Sequence, residues 1–187
     1  MRLAKIETEY SDTVEVIWKS FMLRPTPQPR SIDQHREYTR SWLNPASQPE
    51  SGDFQVWATE NAPPTHSVPA LVAGKAAATF GDEAFHRFHR EVMHAYFSEN
   101  RTISDLAVLT EVAETAAIPT NEFRGRLEND WQAFEDQVFA EHTEAVQLGV
   151  TGIPSVVVDD ALLIPGAVEA DVYRRVIRDR LELREEH

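Results

Sequence analysis

The period of apolar and polar residues changes several times along this chain. Leu3 and Ile6 share a helical face, and the polar run Tyr10-Ser11-Asp12 follows, so residues 1 to about 11 read as the last turns of a helix. From Thr13 to Leu23 the period drops to two. Val14, Val16 and Trp18 alternate with Glu15, Ile17 and Lys19, which predicts a strand. Pro25, Pro27 and Pro29 impose an extended linker over 24–30. From about 31 to 148 helical spacing dominates. Ser31 is placed to cap a helix running through Trp42. Asn44 to Pro64 is rich in Pro, Ser and Gly and reads as irregular around Phe54, Val56 and Trp57. Thr65 to Phe80 reads as a helix with Val68, Leu71, Val72 and Ala76 on one side. Asp82 is expected to cap a helix striped by Phe85, Phe88, Val92 and Tyr96. Ser104 heads the next helix and Pro119 stops it. Thr120 then caps a short helix with Phe123 and Leu127. Asp130 caps a long one with Trp131, Phe134, Val138 and Ala145, which closes at Gly149.

The tail is strand, turn, strand and helix. Ser155 to Val158 is a β-branched run suited to a buried strand. Asp159-Asp160 turns the chain, Leu162 to Ile164 returns, and Gly166 leads into a helix. There Val172, Val176, Ile177 and Leu181 face inward, while Arg174, Arg175, Arg178 and Arg180 face water. The order of elements is α/β. Residues 1–30 and 149–187 read as a core that carries the sheet, and 31–148 as an inserted all-helical subdomain.

Composition narrows the chemistry. The 187 residues, 42% hydrophobic and 26% charged, suffice for a globular core. A net charge of −13 argues against nucleic acid and anionic membrane as partners, since both select basic patches. No apolar run approaches a membrane span, and residues 1–7 lack the apolar stretch of a signal peptide, so a cytoplasmic location is expected. There is no cysteine, hence no disulfide, no thiolate nucleophile and no cysteine zinc site. His86 and His89 can share a helical face, but His94 points away and nothing completes a tetrahedral set. They read as surface residues, and no metal is expected. His66 and Ser67 follow Pro63-Pro64 at a predicted helix start. They have two readings: a site for a carboxylate or thiolate at the free N–H groups, or simple capping by Thr65 or Ser67. Trp57 reads as a packing residue that could also line a groove.

One set of motifs carries a resemblance. Gly149-Val150-Thr151-Gly152-Ile153-Pro154, with Asp159-Asp160 and Pro165-Gly166-Ala167, resembles the cis-proline loop and final hairpin of a thioredoxin-fold redox protein. Val14–Phe21 with Leu23-Arg24-Pro25, Pro64-Thr65-His66-Ser67, the run from Ala95 to Asp105, and Glu144-Ala145 extend the likeness along nearly the whole chain. Together they resemble the DsbA-like family, its cytoplasmic FrnE-type members in particular. The resemblance implies a thioredoxin-like sheet with a helical insertion, acting in thiol–disulfide exchange or isomerisation on a protein or small-molecule thiol or disulfide. It implies no cofactor. It assigns Thr151, Gly152, Ile153 and Pro154 to the substrate groove, and places His66 and Ser67 at the border of the same face.

In that family a strand and a helix opening on Cys-x-x-Cys come before the point matching Met1. The catalytic thiolate is therefore expected upstream of Met1, with no catalytic residue in this chain, which should be redox-inactive by itself. The absent strand would lie between Val14–Phe21 and Ser155–Val158. Its loss would leave both neighbours with unpaired backbone groups, a defect that a homodimer would cover. Two alternatives stay open. One is a glutathione-using enzyme of the kappa transferase or 2-hydroxychromene-2-carboxylate isomerase type. The other is a redox-dead module that holds peptides or thiols.

Overall fold

The computed structural model describes residues 2–47 and 52–185. Met1, and residues 48–51 of the stretch read as irregular, lie outside the described residues. The chain divides into two compact units, one made of residues 1–19 and 144–187, the other of 20–143. In chain order the elements are α1 (Arg2–Glu9), α2 (Ile32–Thr39), a 3-10 turn (Arg40–Trp42), α3 (Leu43–Ala46), α4 (Val68–Ala78), α5 (Asp82–Phe97), α6 (Leu106–Thr115), α7 (Thr120–Gln147), β1 (Ser155–Val158), β2 (Leu162–Pro165) and α8 (Ala170–Glu185).

In the first unit β1 and β2 form an antiparallel hairpin, with Ser155 opposite Pro165 and Val158 opposite Leu162. The predicted Asp159-Asp160 turn is present. Both aspartates have positive φ, 54° and 52°, the pattern that suits the right-handed twist of a hairpin and that Asp tolerates. Ile6, Ile164, Tyr173 and Ile177 make the buried centre, with Leu3, Val14, Val156 and Leu181 packed against them. Arg174 ties α8 to α1 by a two-pronged bond to Glu9, 2.7 Å at each contact. Gly149, at φ 88°, ends α7 as expected. Its N–H bonds to Val146 O at 3.0 Å and that of Val150 to Ala145 O at 2.9 Å, the paired bonds of a Schellman cap.

The segment from Thr13 to Leu23 corrects the strand expected there. It joins no ladder, and Ile17 is 67% exposed. Alternation reports which face a side chain takes; a strand also needs a neighbour to bond, and among the described residues none lies alongside. Side chains of α7 take over instead. The Ser20 N–H donates to Glu141 Oε2 at 2.6 Å and the Met22 N–H to His142 Nδ1 at 3.2 Å.

The second unit is helical around a core that includes Val72, Phe88, Leu109, Val112, Phe123 and Val138. Ser31 caps α2 through a reciprocal pair with Gln34. Several expected starts move. Gly81, not Asp82, precedes α5, and Asp82 is its first helical residue. Asp105, not Ser104, caps α6, accepting from the Ala107 N–H at 2.8 Å. Helix α4 begins at Val68 rather than Thr65, because Pro69 has no N–H to give Thr65 O and so is confined to the first turn. The break expected at Asp130 does not occur. Phe123, Leu127, Phe134 and Val138 form one buried stripe along a continuous 28-residue α7.

Helix α6 ends in the same capping geometry as α7, but with alanine in the glycine position. Ala117 has φ 58°, its N–H bonds to Glu114 O, and that of Ile118 bonds to Ala113 O, both at 2.9 Å. A side chain in this left-handed region costs energy that glycine does not incur. Ala117→Gly is therefore expected to stabilise the protein by about 0.5–1 kcal/mol after glycine's larger unfolded-state entropy is subtracted. The urea midpoint should rise with an unchanged slope, and Ala117→Val should shift it the other way.

Candidate functional site

Past its cap at Gly149 the chain leaves α7, buries Val150, and surfaces at Thr151. The Ile153–Pro154 peptide bond is cis. The loop is tied at both sides. The Ser155 hydroxyl donates to Gly152 O at 2.7 Å, and the Gly166 N–H donates to Pro154 O at 2.8 Å. Gly166 reaches that position with φ 80°. Ile153 at the tip is 54% exposed, and its backbone N–H and C=O bond to no group among the described residues. The loop, with Leu163, Pro165 and Gly166 from the hairpin, lines an open cavity of about 190 Å³. That is smaller than pockets that enclose a small molecule, and it suits an extended segment laid across it. A Cβ built on Gly152 would meet nothing within 4 Å, so this position faces free space. A wider hollow of about 390 Å³ along α1 is lined by Ala4, Lys5, Thr8 and Glu9. It offers no free backbone edge, and Glu9 is already engaged by Arg174.

His66 and Ser67 belong to the second unit. Ser67 does not cap α4 through its side chain. Its hydroxyl accepts from the Arg24 N–H at 3.0 Å while its own N–H donates to Arg24 O at 2.8 Å. Thr65 likewise braces a loop, its N–H donating to Ser104 Oγ at 3.0 Å. His66 Nδ1 lies 2.9 Å from Thr65 Oγ1. Burial, and after it the Arg24 charge, hold His66 below the usual imidazole value, which favours the neutral ring. Thr151 to Pro154 are thus gathered in one loop, while His66 and Ser67 form a separate group with Arg24. Arg24 itself was visible in the sequence only as part of Leu23-Arg24-Pro25. The signal that could have marked it is a cation set among three prolines, where backbone carbonyls lack local donors.

The whole chain has counterparts among known proteins. A family model described as a DSBA-like thioredoxin domain matches residues 1–178. The chain belongs to this family. The Bacillus subtilis (strain 168) protein named "Uncharacterized protein YwbO" is 28% identical to this DSBA-like chain over 170 residues, 89% of this chain and 82% of that protein. Among solved structures, one named "a putative protein disulfide isomerase from Nitrosomonas europaea" superposes with a TM-score of 0.76 at 18% identity, covering 97% of this chain and 88% of that one. The cytosolic disulfide reductase DsbM from Pseudomonas aeruginosa gives 0.72 at 15% identity, covering 97% and 91%. At these identities the structures establish a shared DsbA-like thioredoxin fold.

The DSBA-like chain contains no cysteine and so offers no thiolate within residues 1–187. Among the described residues no three His, Cys, Asp or Glu side chains converge on a point that would hold a metal. His86 and His89, expected at the surface, are half-buried, with ring centres 5.6 and 5.8 Å from that of Phe85. Trp57, read as either packing or groove-lining, packs: it is buried, with its indole N–H on Asn61 O at 3.2 Å.

Sequence reading did not single out His35. It is fully buried on α2, its ring 4.7 Å from Trp57 and also against Tyr38, Trp42 and Tyr96. Neither ring nitrogen has a hydrogen-bond partner. Burial first, then the Arg30 and Arg24 charges, lower its pKa from 6.5 to about 4. The folded state therefore refuses a proton that the unfolded chain accepts between those values. Stability is fully present above pH 6.5 and falls as the pH drops toward 4. The expected loss from this residue is about 3 kcal/mol at most. Urea unfolding at pH 7 and pH 4.5 measures it, and His35→Phe should shrink the difference between the two.

Proposed function

We propose that this chain is the substrate-holding part of a cytoplasmic thiol–disulfide oxidoreductase or isomerase of the DsbA type, whose attacking thiolate lies on residues preceding Met1. The observation that carries the reading is the Ile153–Pro154 loop: an exposed tip with a free backbone N–H and C=O, in a DSBA-like chain that contains no cysteine. An extended segment of substrate pairs with the Ile153 main chain, as a strand adds to a sheet edge. Thr151, Gly152 and Pro154, which line the same cavity, shape the groove around it. His66 and Ser67 contribute a second substrate contact through the neutral imidazole and the braced loop of Arg24. The names carried by the two solved relatives, a disulfide isomerase and a cytosolic disulfide reductase, support this chemistry and this location.

The step itself is an exchange. A thiolate attacks one sulfur of a substrate disulfide, the S–S bond breaks, a mixed disulfide forms, and the other sulfur leaves as a thiolate. The second thiol of the Cys-x-x-Cys pair, once deprotonated, then attacks the enzyme sulfur of that mixed disulfide; the bond to substrate breaks, an enzyme disulfide forms, and the remaining substrate sulfur leaves as a thiolate. At a helix N-terminus the first thiolate is stabilised by the free N–H groups and the helix dipole. Residues 1–187 hold the substrate and perform neither displacement. Its lack of cysteine favours a second reading, a redox-dead module that binds peptides or thiols through the same loop.

Intact mass of the protein from its native host separates the two. A mass above 21.2 kDa with an N-terminal peptide containing Cys-x-x-Cys is the expected result. A mass of 21.2 kDa would overturn it in favour of the binding module. Gly152→Val tests the groove, because the added side chain enters free space rather than the core. In the cysteine-bearing protein it should lower kcat/KM for exchange about tenfold, the cost of losing one or two backbone pairings, with Tm unchanged.

A further inference from the structure

The chain has 31 acidic residues against 18 Lys and Arg, and several partly buried arginines end on carboxylates. Arg36 meets Glu60 at 2.5 Å, Arg174 meets Glu9 at 2.7 Å, and Arg101 meets Glu111. Arg24 and Arg30 differ. Both are half-buried, and among the described residues neither has a carboxylate within ion-pair distance.

Their setting is rigid. The Arg24 Nη1 donates to Pro64 O at 2.9 Å and Nη2 donates to Gln28 O. Two main-chain bonds to Ser67 fix the Arg24 backbone, and the Gln28 N–H donates to Thr65 O at 2.9 Å. Residues 24–30 and 64–67 therefore form one bracket with the guanidinium at its centre. The Arg24 Nε is buried and has no acceptor. A guanidinium has five N–H donors; two are used here on neutral carbonyls and the Nε one is enclosed, which leaves one on each Nη for a ligand. The Arg30 guanidinium carbon lies 4.9 Å above the centre of the Tyr38 ring, which orients it without neutralising it. Both charges act on His35, and the Arg24 charge also acts on His66, so the two arginines share one neighbourhood. Burial, and after it the Arg30 charge, hold the Arg24 pKa below that of an exposed arginine.

Partly desolvated like charges on fixed supports, with donors left over, match a planar or tetrahedral oxyanion. We infer that Arg24 and Arg30, held on the bracket of residues 24–30 and 64–67, bind the carboxylate or phosphate group of a ligand. The site lies wholly within the second unit and does not depend on the thiol–disulfide reading.

Titration calorimetry on the full chain at low ionic strength tests it. The probes are inorganic phosphate and an N-acetylated dipeptide with a free carboxylate, each compared with sodium chloride at matched ionic strength. The amidated form of the same dipeptide is the neutral control. Binding of phosphate alone points to a phosphorylated ligand, and binding of the free-acid peptide alone to a carboxylate; either supports the site. Arg30→Gln, which breaks no hydrogen bond of the bracket, should weaken binding about tenfold, and Arg178→Gln on exposed α8 should not. Heats no larger than those of chloride for both probes would overturn the inference. So would equal loss of affinity in the Arg30 and Arg178 variants, since that marks diffuse attraction. Arg24→Lys keeps the charge but loses the fork, and if it folds it should also weaken the bound probe.

Discussion

A long loop holds its place only when its backbone N–H groups find acceptors, and a two-stranded sheet supplies few. In the second unit the acceptors are side chains on or beside helices. Thr39 Oγ1 takes the Trp57 N–H at 3.0 Å, Asn100 Oδ1 the Ala58 N–H at 2.8 Å, and Ser104 Oγ the Thr65 N–H at 3.0 Å. Ser67 Oγ, Glu141 and His142 do the same for Arg24, Ser20 and Met22. Each such bond contributes only about 1 kcal/mol net, yet leaving a buried N–H unpaired costs about 1–3 kcal/mol. The loops that carry Arg24 and His66 therefore depend on this scattered set more than on the helical core beneath.

Asn100 concentrates the effect. It is 2% exposed and sits at φ 55°, a conformation Asn tolerates better than most residues. Its side chain accepts from Ala58 and donates to Gln55 O, while its carbonyl accepts from Thr59 and Asn61. One residue at the end of α5 thus organises the loop that covers the ring cluster around His35. Glu141 plays a comparable part on α7. Burial alone would raise its pKa, but the bonds from Lys75, at 2.5 Å, and from Ser20 outweigh that and keep it an acceptor.

What could be read from sequence follows from range. The hairpin, the Asp159-Asp160 turn, the Ser31 cap and the Gly149 cap each depend on residues within a few positions of one another, and all are found where expected. Ser104, expected as a helix cap, instead accepts from the N–H of Thr65, 39 positions away, a partner no local pattern shows. The strand over Thr13–Leu23 failed for a related reason: alternation records two faces and says nothing of a partner. Asp130 resembled a cap, yet without a glycine or proline beside it the apolar stripe carried the helix through. At the candidate site, the loop from Thr151 to Pro154 is visible as a motif. Arg24, Arg30 and His35 become a group only through contacts spanning the loops.

Gly152 has an experimental use of its own. A Cβ built there enters open space at the rim of the loop, and residues 1–187 contain no cysteine. A cysteine introduced at this position would be the single sulfhydryl of these 187 residues. A dye or spin label attached to it in this 187-residue chain would report on that rim from a unique address.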